Sequence, residues 1–108
     1  DQGDSHQVQV KHFVVEISYR RPLDEVLAAL EEHRAHLQTG YQKGILLLSG
    51  PQEPRVGGIL IMRGTSRDEV QKFCSNDPYA VRGLATHRII EFIPKSYSPT
   101  VKAWVNGE

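Results

Sequence analysis

A chain of 108 residues is the size of one domain, able on folding to bury roughly 65% of the surface its unfolded form exposes. Thirteen basic side chains balance thirteen acidic ones, so no global field favours a nucleic acid or an anionic membrane surface, and no apolar run approaches the roughly 18 residues that span a bilayer. The single cysteine, Cys74, excludes an intrachain disulfide and a Cys-based zinc site and points to a reducing, cytoplasmic setting.

Residues 1–10 are polar with no apolar signal-like core, which predicts a flexible leader ahead of a domain over 11–94. Lys11 to Tyr19 is rich in β-branched and aromatic residues, with Phe13, Val15, Ile17 and Tyr19 on one face, and predicts a first strand. Pro22 suits a first helical position, with Asp24 and Glu25 placed to meet the helix dipole. One long helix is then expected from the stripe of Leu23, Val26, Leu27, Leu30, Leu37 and Tyr41. With Leu30 as origin, His33 lies about 60° away at the edge of that stripe, His36 about 120° away toward water, and Arg34 inside it. Arg34 is thus expected to snorkel, to pair with a carboxylate, or to line the same cavity as His33. Gly40 and Gly44 are both candidate helix ends.

Ile45 to Ser49 reads as a short strand buried on both faces, stopped by Gly50-Pro51. Gln52 to Val56 is a loop, and the Gly57-Gly58 pair opens a third strand over Ile59 to Met62. Ser66-Arg67-Asp68-Glu69 has the spacing of a capping box, followed by Val70, Phe73 and Cys74 as the buried face of a second helix. Asp77 caps a further turn with Pro78 as its first residue and Gly83 as its stop, and Arg88 to Pro94 completes a fourth strand. The tail, 95–108, carries the lone Trp104 and is expected to dock as an arm or an extra strand.

This order is a ferredoxin-like α+β pattern, βαββαβ, with helices on one face of an antiparallel sheet. The other face would stay uncovered, and a homodimer is its simplest closure.

Asp77 sits at the lip of the core, where a carboxylate could cap the following turn with one oxygen and hold His33 with the other. Such a pair suits proton transfer: imidazole titrates near neutral pH, and a carboxylate on one ring nitrogen fixes the tautomer and makes the other more basic. Read from residue types alone, Asp77 is first a helix cap and His33 a boundary histidine. Ser49 and Gly50 close a strand where a hydroxyl and backbone N–H groups could bind an oxyanion. Arg34 could clamp a substrate carboxylate or form a structural ion pair, and Tyr79 could wall a pocket or pack in the core. His33 and His36 face different ways, so no three ligands converge on a catalytic zinc. Cys74 has no adjacent base to activate it, and the Gly57-Gly58 pair lacks the spacing and the Lys of a phosphate loop.

Three segments together resemble the YCII-related (YciI-like) family: His33-Arg34-Ala35-His36-Leu37, Gly44 through Pro51, and Asp77-Pro78-Tyr79 with Gly83-Leu84-Ala85. The resemblance spans Lys11 to Pro94. It implies a ferredoxin-like α+β fold that dimerises into an α/β barrel, and an active site built from His33 and Asp77. For activity it implies a cofactor-free isomerase or a dehydrohalogenase-type lyase, acting on a small polar or aromatic metabolite. A non-catalytic module that binds a small ligand or only dimerises is the other reading.

Overall fold

The computed structural model describes residues 9–108. Most of the expected leader, residues 1–8, lies outside the described residues. The chain forms strand β1 (Lys11–Tyr19), helices α1 (Leu23–Leu27) and α2 (Leu30–Gln42), strands β2 (Leu46–Pro51) and β3 (Gly57–Gly64), helices α3 (Arg67–Ser75) and α4 (Pro78–Val81), strand β4 (Ala85–Phe92), a 3-10 turn (Pro99–Val101) and helix α5 (Lys102–Val105).

The four strands make one antiparallel sheet in the order β2-β3-β1-β4. Alternation along β1 and β3 sends Phe13, Val15, Ile17, Leu60 and Met62 to the face that α2, α3 and α4 cover. These strand residues meet Val26, Leu37, Val70, Phe73 and Tyr79 from the helices to form the core. Gly57 is needed where β3 meets β1: a Cβ there would stand 1.7 Å from the carbonyl oxygen of Ile17.

The expected dimeric barrel is corrected. The sheet is open, with β2 and β4 at opposite edges separated by β3 and β1, and the structure is a single chain. Four twisted strands leave the two edges far apart, whereas a closed barrel of the smallest common size takes about eight. The opposite face, which carries Val14, Ile59, Ile61 and Ile90, is not covered by the described residues.

Several local expectations change as well. The single long helix is two, broken at Ala28–Ala29, where Ala29 has φ −104 and ψ 10. Alanine propensity would carry the helix through. The break instead lets Val26 and Ala29 both enter the core and leaves Leu23 and Leu27 at the surface. Gly44, with φ +77, ends α2, whereas Gly40 lies inside it against the Phe73 ring. Strand β2 runs through Pro51 as an edge strand with Leu48 exposed, so it is not buried on both faces. His36 does not face water: its Nε2–H donates to the Phe73 carbonyl at 2.7 Å, and its ring stacks on that phenyl. Strand β4 begins at Ala85, three residues before the expected Arg88.

The tail forms no strand. The Trp104 indole N–H donates to Gly44 O at 3.1 Å, its ring meets His12 edge-on, and the Arg63 guanidinium lies over it at 5.2 Å. Arg63 also donates to the carbonyls of Gly44, Trp104 and Glu108, which fastens the tail beside the start of β1.

Candidate active site

Asp77 ends the turn after α3 and caps α4, its Oδ1 accepting from the Tyr79 backbone N–H at 2.9 Å. The same carboxylate meets His33 from α2, whose Nδ1 lies 2.9 Å from Oδ1 and 3.0 Å from Oδ2. From β4, His87 places Nε2 3.1 Å from Oδ2. An ionised carboxylate only accepts hydrogen bonds, so both ring nitrogens that face it carry hydrogen. Asp77 is only 1% exposed, and burial by itself would raise its pKa. The hydrogen bonds from His33 and His87, the charge interaction with His33 and the Tyr79 amide outweigh that and hold it well below the usual carboxylate range.

In the neutral ring this tautomer leaves His33 Nε2 with its lone pair free. Among the described residues Nε2 has no hydrogen-bond partner, and it is not sealed from solvent. The ring is clamped on one face by the Tyr79 ring, parallel within 3° and 3.9 Å away. Two of the three groups that fix the imidazole, the Asp77 carboxylate and the Tyr79 ring, therefore come from one short segment, and the third is α2 itself.

His33 borders a cavity of about 390 Å³ between α2 and the end of the sheet where β1 and β3 carry Ile17, Tyr19, Gly58 and Leu60. That volume suits a small organic molecule. Of the residues singled out in the sequence, His33, Arg34, Ser49, Gly50 and Tyr79 all line it, and Asp77 stands behind His33, away from the cavity. Ser49 Oγ and the Tyr41 hydroxyl are 2.7 Å apart on the wall. Arg34 is exposed and makes no ion pair among the described residues.

Sequence reasoning misses three contributors. His87 escapes because a fourth strand starting at Arg88 begins one residue after it; alternation with Ala85 and Ile89 puts it on the helix-covered face, opposite Ile17. Tyr41 reads only as part of the apolar stripe, and Arg55 only as loop, yet both reach the cavity. Cys74 is buried, its thiol pushed up to about 12 by burial and then by the Asp77 charge, so it is no nucleophile. Among the described residues no group of three His, Cys, Asp or Glu side chains is placed to hold a metal ion, and no helix is long and apolar enough to cross a membrane.

Fold and site together define a small α+β protein with a cavity histidine held from behind by a buried carboxylate. The chain belongs to the YCII-related domain family, whose profile matches residues 12–93. No curated protein matches it. Among solved structures it is similar to the 5-chloro-2-hydroxyhydroquinone dehydrochlorinase of Burkholderia phenoliruptrix AC1100 in complex with 2,5-dihydroxybenzoquinone. The two are 25% identical over 81% of this chain and 93% of that one, with a TM-score of 0.55. A variant of SnoaB, a cofactor-independent oxygenase from Streptomyces nogalater, is 13% identical over 83% of this chain and 97% of that one, with a TM-score of 0.48.

Proposed function

We propose that this protein is a cofactor-free enzyme that moves a proton on a small polar or aromatic metabolite, with His33 as general acid/base and Asp77 as the group that orients it. One observation carries this reading: a histidine that lines a cavity of small-molecule size is bonded through Nδ1 to a buried carboxylate, and its Nε2 has no partner among the described residues. Nε2 takes a proton from a C–H or ring O–H of the substrate, and Asp77 stabilises the imidazolium that forms. The released electron pair then moves onto a carbonyl oxygen, with the proton returned at another atom, which is isomerisation. Alternatively it forms a double bond as a leaving group departs with its own bonding pair, which is elimination. Ser49 with the Gly50 backbone is suited to an oxygen that gains charge in either path. The likeness to a dehydrochlorinase of a hydroxylated aromatic supports a single-ring substrate of the lyase kind. We place the activity in the cytoplasm, on the strength of the single buried thiol Cys74.

Proton exchange with solvent tests this over a panel of compounds, without one natural substrate having to be chosen. Small hydroxylated aromatics and keto acids are incubated in D₂O and their C–H signals followed by NMR, with His33→Gln and Asp77→Asn alongside. Wild type is expected to exchange at least one substrate, His33→Gln to be slower by about 10²–10⁴-fold, and the titration of His33 to change in Asp77→Asn. Exchange by His33→Gln at the wild-type rate, or identical His33 titration in wild type and Asp77→Asn, sinks the proposal in favour of a binding module.

A further inference from the structure

The charge of the cavity wall is one-sided. Arg34 and Arg55 both line it, and among the described residues no Asp or Glu does. Neither guanidinium forms an ion pair among the described residues, and the one hydrogen bond between them is a long contact of 3.5 Å from Arg55 Nε to the Tyr19 hydroxyl. The nearby negative charge, Asp77, is turned away from the cavity and taken up by two imidazoles and a backbone amide.

Beside these cations stands an unsatisfied donor. Among the described residues the Tyr79 hydroxyl is buried without any hydrogen-bond partner, in a residue that is 2% exposed and lines the cavity. Such a group is costly unless something outside the free chain completes it. Burial first, then the neighbouring Tyr19 phenol and the Asp77 carboxylate, push this phenol up to about 12, against the pull of Arg55 and Arg34, which both lie near enough to act on it. It therefore remains an O–H donor at neutral pH.

We infer that the cavity takes a small organic anion, its charged end held between Arg34 and Arg55 and one of its oxygens bonded by the Tyr79 hydroxyl. This rests on the proposed reading of the site and adds to it the substrate class: an aromatic or enolic acid, presented to His33 Nε2 by its charge. Guanidinium forks match a carboxylate or enolate in two-point contact, which neither Ser49 nor His33 supplies. Two cations on the cavity wall also stabilise the charge that grows on the ligand as His33 removes a proton.

Salicylate and salicylamide test this, since they share a ring and a hydroxyl and differ in charge. Each is titrated by calorimetry into wild type, Arg34→Gln, Arg55→Gln and Tyr79→Phe, with the His33 ring NMR signals reporting whether the ligand reaches the site. Wild type is expected to bind salicylate about tenfold more tightly than the amide. Each arginine variant should weaken salicylate by about tenfold and bring it level with the amide. Tyr79→Phe should weaken salicylate without lowering the thermal midpoint, because the hydroxyl it removes has no partner among the described residues. Equal binding of the two ligands, unchanged salicylate binding in both arginine variants, or no movement of the His33 signals with either ligand overturns the inference. The coupling of His33 to Asp77 is read in the same spectra before ligand is added, so a failure here is distinguishable from a failure of the dyad.

Discussion

Strand β1 has a histidine environment at each end, and the two are built differently. At its start, His12 donates through Nε2 to the Val105 carbonyl at 2.9 Å and sits between the rings of Phe92 and Trp104. At its far end, beyond Ile17, His87 and His33 share the carboxylate of Asp77. A carbonyl partner satisfies a ring nitrogen and ends there, whereas a carboxylate adds a charge that responds to what the other nitrogen does. Burial of a histidine is therefore not the mark of a site. The mark is an anionic partner behind it combined with an open nitrogen in front.

The comparison breaks most severely at Asp77. Asp77→Ala leaves two imidazoles and the Tyr79 amide without their acceptor, and is expected to cost about 3–5 kcal/mol in urea unfolding along with all turnover. Its pH signature has a definite sign. The folded-state pKa of Asp77 is lowered, so the stability it contributes is fully present above the unfolded value of about 4 and is lost as pH falls below that. Between pH 4 and 2 wild type should lose stability more steeply than Asp77→Ala; parallel curves would mean that the carboxylate is not held by its neighbours. At the other end of β1, Trp104→Ala removes the bond to Gly44 O and the Arg63 contact from a half-exposed ring, an expected loss of about 1–2 kcal/mol. It should leave the His33 titration where it was, and a shift there would show that the two ends of β1 are coupled.

How much of this is legible in the sequence depends on whether local signals agree with packing. The His33–Asp77 pair can be read because three signals converge: a helix face, a cap followed by Pro78, and the family resemblance. His87 cannot, because Gly83-Leu84-Ala85-Thr86 carries no strand signal of its own; pairing with Tyr19, Ser18 and Ile17 makes it a strand. The break at Ala28–Ala29 runs against propensity and is set by the core, so a stripe carried across it wrongly buries Leu23 and Leu27. Closure into a barrel rests on the family resemblance and on an apolar sheet face, and an apolar face does not by itself specify what covers it. Five of the six candidate residues line one cavity, with Asp77 behind His33, because their segments, distant in sequence, meet at the same end of the sheet. Arg55 escapes notice because nothing in a short loop announces which way its side chain turns.

His36 gives the smallest effect and the sharpest contrast. It lies one turn from His33 on the same helix, is partly buried and stacked on an aromatic ring, and has a short hydrogen bond, so by every coarse measure it is a second candidate. Its partner, however, is the Phe73 carbonyl. His36→Phe keeps the ring contact and leaves that carbonyl unpaired at the edge of solvent, which should cost about 1 kcal/mol in thermal or urea unfolding. Proton exchange on a substrate and the His33 titration should both match wild type. If His36→Phe instead abolished exchange while remaining folded, the partner rule drawn from the two ends of β1 would be wrong, because a carbonyl-bonded histidine would be taking part in the chemistry.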